Sequence, residues 1–263
     1  MYTDSFENLV GLVDVSSSAH SVWAKWRDLE APRGICGGRA MESAYVEESK
    51  KINFRCIYFV GQVGFDTVGR AGAKQYVDFM RTSRPAEDRR TNGTACLPRT
   101  EFVCFASERH NRVFVVGNGG HIRPLIGTGR PGFSLANKTD ECMLRLPSGL
   151  ASDHANLKLY VSDSGNSVVR EFSSVSGNLG NGRLCGMPES PGDRDGTSHE
   201  TRFFHPSDIC SCSSCLHVAD GDRLCRISKD NMSCETVYRS RGRIESVSAG
   251  DGDEVYFVEV RDA

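Results

Sequence analysis

The densest run of chemically capable side chains is Cys210-Ser-Cys212-Ser-Ser-Cys215-Leu-His217. Two-residue spacing suits a metal knuckle, in which thiolates and an imidazole surround a zinc ion. Alternation along a strand points Cys215 and His217 to one face, while Cys210 and Cys212 share a face of a different strand. Cys212 and Cys215 also flank a two-residue loop, where cross-strand neighbours approach within reach of a disulfide. Cys225 and Cys234 flank the next hairpin in the same way. Disulfide, buried thiol and metal ligand therefore all stand open for these residues. The leading expectation is two disulfides, Cys212–Cys215 and Cys225–Cys234, and no metal.

Other reactive residue types are dispersed. The seven histidines (His20, His110, His121, His154, His199, His205 and His217) show no catalytic spacing, and His205 sits before Pro206 as a turn residue. No Ser-His-Asp order, nucleophile elbow or phosphate-binding glycine loop occurs. Gly117-Asn-Gly-Gly120 reads as a hairpin turn. Asp153, Asp163, Asp220 and Asp222 offer oxygen donors of the kind calcium takes. Their spacing is that of tight turns, in which carboxylates accept bonds from nearby backbone N–H groups. No catalytic residue and no cofactor follow from these residues.

The charge balance restricts partners. With 32 basic and 34 acidic residues, the net charge of −2 argues against a nucleic-acid partner, which needs a basic face to neutralise phosphates. Arginine outnumbers lysine, and its planar fork suits protein interfaces. No apolar run approaches the roughly 18 residues of a membrane span. Met1–Leu12 has no basic segment followed by an apolar stretch, so neither a signal peptide nor an anchor is expected in this sequence. The count of 11 cysteines and the sequons at Asn92, Asn137 and Asn231, as candidate glycosylation sites, lean towards a secreted or cell-surface protein. A cytoplasmic setting is the alternative.

The elements that position these side chains repeat. Leu146–Ala151, Lys158–Asn166, Ser167–Phe172 and Arg183–Gly186 are four short strands bounded by Gly, Asn, Asp or Ser, one antiparallel meander. The order recurs upstream from Leu97-Pro98 through Thr100–Phe105, Arg112–Asn118 and His121–Ile126. Downstream it runs from His205-Pro206 through Cys215–Asp220, Asp222–Ile227 and Cys234–Tyr238. A further copy begins at Ser246–Val258.

Tyr160-Val-Ser-Asp-Ser-Gly-Asn166 resembles the signature strand and turn of the NHL repeat. The junctions Gly186–Gly196 with Thr201–Pro206, Gly127–Phe133 with Leu146-Pro147, and Gly61–Phe65 with Leu97-Pro98 are similar to the long NHL connection between blades. The resemblance implies an all-β β-propeller of four-stranded antiparallel blades spanning 1–263. Five blades are visible, six if the chain is part of a larger ring. Residues 1–55 read as a divergent first blade, with Phe6–Val10 as a closing strand. Residues 65–97 read as an insertion between blades, with a short helix over Ala71–Met80.

Resemblance to NHL proteins implies a non-catalytic module that binds a protein partner, within a surface or multi-protein assembly. The alternatives are a metal-dependent propeller lyase or lactonase, and an RNA-binding NHL domain. The expected contact surface is the loop carrying Arg81, Arg84, Arg89 and Arg90, together with the Arg130–Asp140 loop. The oligomeric state stays open.

Overall fold

A computed structural model describes residues 2–4, 9–14, 19–25, 30–46, 50–62, 66–71, 76–78, 91–96, 103–116, 122–136, 138–175, 178–250 and 254–260. The chain is built almost wholly of strands. These are β1 (Tyr2–Asp4), β2 (Leu9–Asp14), β3 (Ala19–Lys25), β4 (Glu30–Val46), β5 (Lys50–Gln62), β6 (Asp66–Ala71) and β7 (Tyr76–Asp78). There follow β8 (Thr91–Cys96), β9 (Val103–Ser107), β10 (Arg112–Val116), β11 (Ile122–Ile126), β12 (Pro147–Asp153), β13 (Lys158–Asp163) and β14 (Val168–Val175). The last are β15 (Asn178–Cys185), β16 (Pro206–Ser211), β17 (Cys215–Asp220), β18 (Arg223–Ser228), β19 (Cys234–Arg239), β20 (Arg243–Ala249) and β21 (Val255–Val260).

They form six antiparallel meanders: a three-stranded sheet β1–β3, four four-stranded sheets β4–β7, β8–β11, β12–β15 and β16–β19, and a two-stranded sheet β20–β21. The first strands of successive sheets, β4, β8, β12, β16 and β20, lie side by side. Sheets that meet at their first strands and pack face to face are the blades of a propeller.

Alternation along each strand builds the core between blades. Leu159, Val161 and Phe172 are fully buried against Cys104, Val113, Val115 and Ile126 of the preceding blade. Tyr160 and Val169 point the other way, onto Leu216, Val218 and Ile227 of the next. The β12–β15 blade is thus a two-faced layer whose odd and even positions serve different neighbours.

The first strands share a second device. Each of β8, β12, β16 and β20 carries a bulge, at Asn92/Thr94, Pro147/Leu150, Pro206/Ile209 and Ile244/Ser246. The bulges stack blade on blade. A Cβ on Gly93 would meet Ser148 O at 2.5 Å, and one on Gly149 would meet Ser207 O at 2.8 Å. Only glycine tolerates such backbone approach. At the next step Asp208 replaces glycine, and its Oδ2 accepts bonds from Ser246 Oγ at 2.8 Å and Val247 N at 2.9 Å.

Among the described residues six sheets stand where five blades are legible in the sequence, and the divisions differ. The blade expected to open at Thr100–Phe105 opens one strand earlier, at β8. Pro147 and Pro206 each begin a first strand, and Pro98 lies outside the described residues. Strands β6, β7 and β8 fall inside the 65–97 segment, and β7 occupies part of the expected helix over Ala71–Met80. Leu9 and Val10 of the expected closing strand belong to β2, in the three-stranded sheet. Phe6 lies outside the described residues.

Candidate functional site

One end of the propeller carries the β13–β14 and β17–β18 turns and the long junctions that lead into β12 and β16. An aspartate at the end of the second strand ties these together. Asp163 Oδ1 accepts the Arg145 N–H at 2.8 Å, and Oδ2 accepts Asn166 Nδ2 at 2.8 Å. Asp220 accepts the His205 N–H at 2.7 Å and the Phe204 N–H at 3.1 Å. The carboxylates thus serve as backbone acceptors, as the turn spacing suggests, but the N–H groups belong to the junction upstream. Asp163 and Asp220 are fully buried, and each faces a buried arginine. Arg170 Nη1 lies 3.5 Å from Asp163, and Arg223 Nη2 lies 2.6 Å from Asp220.

The arginines extend the clamp into the junctions. Arg170 donates to Met143 O at 2.9 Å and Ser134 O at 3.0 Å, with its guanidinium over the rings of Phe133 and Phe172. Asn166 Nδ2 donates to Gly132 O at 2.8 Å. Arg223 donates to Arg202 O at 2.8 Å and pairs with Asp193 at 2.8 Å and Asp195 at 3.4 Å. Burial pushes the Asp163 carboxyl up to about 6, against the pull of Arg145 N–H, Asn166 and Arg170.

The clamped junctions present apolar side chains outward. Leu135 and Phe204 are 59 % and 58 % exposed, and Leu146 and Met187 are also exposed. Scattered single apolar residues need no explanation, but four on two pinned junctions mark a surface of interest. Leu135 falls within the expected Arg130–Asp140 contact loop, while Leu146, Met187 and Phe204 lie outside the expected surface; a large apolar residue inside a Gly/Pro/Asp-rich connection was the available signal.

Of the expected contact residues, Arg130 is exposed on the first of these junctions, its N–H bonded to Thr128 Oγ1 at 3.2 Å. Arg81, Arg84, Arg89 and Arg90 lie outside the described residues, as do Asn137 and the Gly117–Gly120 turn. Asn92 lies on β8. Asn231 is exposed in the β18–β19 turn, its Oδ1 accepting the Ser233 N–H at 3.0 Å. The four aspartates do not converge on one point. Asp153 closes a turn on Ala155 and Asn156 and pairs with Lys229 of the next blade at 2.7 Å. Asp222 is exposed near Arg239.

Cys104, Cys142, Cys185, Cys210, Cys212, Cys215, Cys225 and Cys234 are buried free thiols. Cys225 faces Thr236 and Cys234 faces Ile227, so the pair is diagonal across the β18–β19 ladder. Cys234 reaches both Cys225 and Cys185 of the preceding blade, and the contact with Cys234, with burial, pushes the Cys225 thiol up. Cys185 is a third member of this group that strand counting did not bring in. At the opposite end from the junctions, Cys210, Cys212 and His217 bring their donor atoms within 4.8 Å of one another. Burial, followed by the neighbouring Cys212 and Asp208, pushes the Cys210 thiol up.

No protein-family model and no curated protein sequence matches the chain. Solved structures do. A chain of a nidogen/laminin complex aligns with a TM-score of 0.63 at 13 % identity, over 96 % of this chain and 82 % of that one. An aldose sugar dehydrogenase from Streptomyces coelicolor, bound to PQQ, aligns with a TM-score of 0.63 at 16 % identity, over 98 % and 83 %. Virginiamycin B lyase from Staphylococcus aureus, with quinupristin, gives 0.62 at 14 % identity, over 97 % and 72 %. These likenesses show the fold, a β-propeller, which serves binding proteins and enzymes alike.

Proposed function

We propose that the protein is a non-catalytic interaction module of NHL-repeat type that binds a protein partner through its junction end. The observation that carries this reading is the outward set Leu135, Leu146, Met187 and Phe204 on junctions held rigid from below. Apolar anchors on a pre-ordered backbone lose little entropy on binding, which is what a recognition surface needs. Exposed Arg130, Arg145 and Arg194 supply a polar rim of the residue type favoured at interfaces. The NHL assignment is supported by Tyr160–Asn166 and the three ordered junctions. The likeness to a chain of a nidogen/laminin complex accords with a protein partner. The cysteine count and the exposed Asn231 sequon support a secreted or cell-surface setting.

The test is affinity capture with the intact chain as bait. The double variant Leu135→Ser, Phe204→Ser should lose the partner at least tenfold while its melting temperature stays within a degree or two. A deletion of 65–95 probes the arginine loop separately. Undiminished capture by both variants would refute the proposal. Secretory expression should yield a glycan-dependent gel shift that Asn231→Gln reduces.

A further inference from the structure

The Cys210–His217 hairpin lies at the end of the blade away from the proposed partner surface, and the strand register gives it a property that spacing alone does not reveal. Cys210 is directly opposite His217, and Ser211 opposite Leu216. The ladder continues through the bond from Cys212 N–H to Cys215 O at 2.9 Å, which sets Cys212 opposite Cys215. Side chains directly opposite in an antiparallel pair share a face, and so do residues two apart. Cys210, Cys212, Cys215 and His217 therefore occupy one face of one hairpin, as two successive rungs of donors.

We propose that these four residues form a structural zinc site, with Cys210, Cys212 and His217 as ligands and Cys215 completing the tetrahedron. The distances fit. Zinc–sulfur bonds of about 2.3 Å and zinc–nitrogen bonds of about 2.0–2.1 Å, at tetrahedral angles, place neighbouring donors roughly 3.6–3.8 Å apart. His217 Nδ1 lies 3.5 Å from Cys212 Sγ and 4.0 Å from Cys215 Sγ. Thiolates with an imidazole select zinc over the hard, oxygen-seeking cations.

The surroundings are those of a closed site. All four side chains are buried, Cys215 fully so. Three thiolates on a divalent ion leave one negative charge, and two cations flank it. Arg226 reaches Cys215. Lys229 Nζ donates to Cys212 O. Such outer partners orient ligands, and both cations are themselves paired, Arg226 with Glu235 and Lys229 with Asp153. With no position left for water, the ion would pin the β16–β17 turn and carry no chemistry of its own.

The experiment uses the full chain, purified under reducing conditions and loaded with zinc or cobalt alone. Elemental analysis should return close to one zinc per chain after dialysis, and cobalt should give the charge-transfer and d–d bands of a tetrahedral thiolate site. Cys210→Ser and His217→Ala should weaken zinc binding at least tenfold. His217→Cys should keep a tetrahedral site with shifted cobalt bands, which separates ligand loss from misfolding. Cys225→Ser, outside the hairpin, should leave binding unchanged. Substoichiometric zinc in folded, reduced protein would overturn the proposal. So would octahedral cobalt bands, or a Cys212–Cys215 disulfide whose reduction does not bring metal binding.

Discussion

Replacing Asp220 by alanine should be among the most damaging single changes to this fold. The side chain is fully buried and holds three donors: Arg223 Nη2 at 2.6 Å and the N–H groups of His205 and Phe204 at 2.7 and 3.1 Å. Breaking a buried ion pair from one side costs roughly 3–5 kcal/mol, because the remaining charge stays buried. Arg223 keeps Asp193 and Asp195 as partial compensation, which favours the lower end. The two backbone donors belong to exposed residues that water can reach, adding about 1 kcal/mol at most. The expected loss is about 3–4 kcal/mol, or roughly a 6–16 °C fall in melting temperature for a chain of this size. Asp220→Asn keeps the shape and one acceptor oxygen and should cost about half as much. Urea unfolding of Asp220→Ala, Arg223→Met and the double variant would close a cycle with a coupling of about 2 kcal/mol. A loss below about 1 kcal/mol for Asp220→Ala, or no coupling with Arg223, would refute the clamp.

Three further outcomes follow from the same geometry. Burial raises the Asp163 carboxyl from 3.8 to about 6, so the native state takes up its proton more readily than the unfolded chain. Its contribution to stability is therefore largest below pH 3.8 and declines as pH rises to about 6; a difference curve against Asp163→Asn that rises across this window would contradict it. Gly149→Ala should cost about 1–3 kcal/mol, because the new methyl would sit 2.8 Å from Ser207 O of the next blade. Gly180→Ala, with nothing within 4 Å, should be near neutral in the same denaturation assay. Lys229→Met should cost roughly 3–5 kcal/mol by stranding Asp153 across the blade interface, and adding Asp153→Asn should restore part of it.

The sequence carried the blades wherever strand alternation was clean. Leu159, Tyr160 and Val161 face two different neighbours, and the period-two patterning that sends them there is a local property of the chain. The roles of Asp163 and Asp220 as acceptors were legible, their partners not. Those partners are backbone N–H groups of Arg145, Phe204 and His205, and a backbone donor leaves no mark in residue type. The strands β6 to β8 lack a strong alternating pattern, which is why 65–97 reads as an insertion. The face shared by all four cysteine and histidine donors depends on the length of one turn. Spacing within each strand was visible, but the register that joins the strands was not. The Cys185–Cys234 contact joins two blades and has no local signature at all.

The clamped junctions have a consequence for how the protein meets a protease. Long connections rich in Lys and Arg are ordinarily the first places trypsin cuts. Here Lys138 bridges Gly180 and Arg194 pairs with Arg202. Arg145 is held on both sides, its N–H on Asp163 and its carbonyl by the Gly165 N–H at 2.8 Å. A protease needs several residues of free, extended backbone, so each of these sites becomes a substrate only when a blade opens. Digestion at the junctions would therefore run at the pace of blade separation, making the cleavage rate a gauge of how firmly neighbouring blades stay packed.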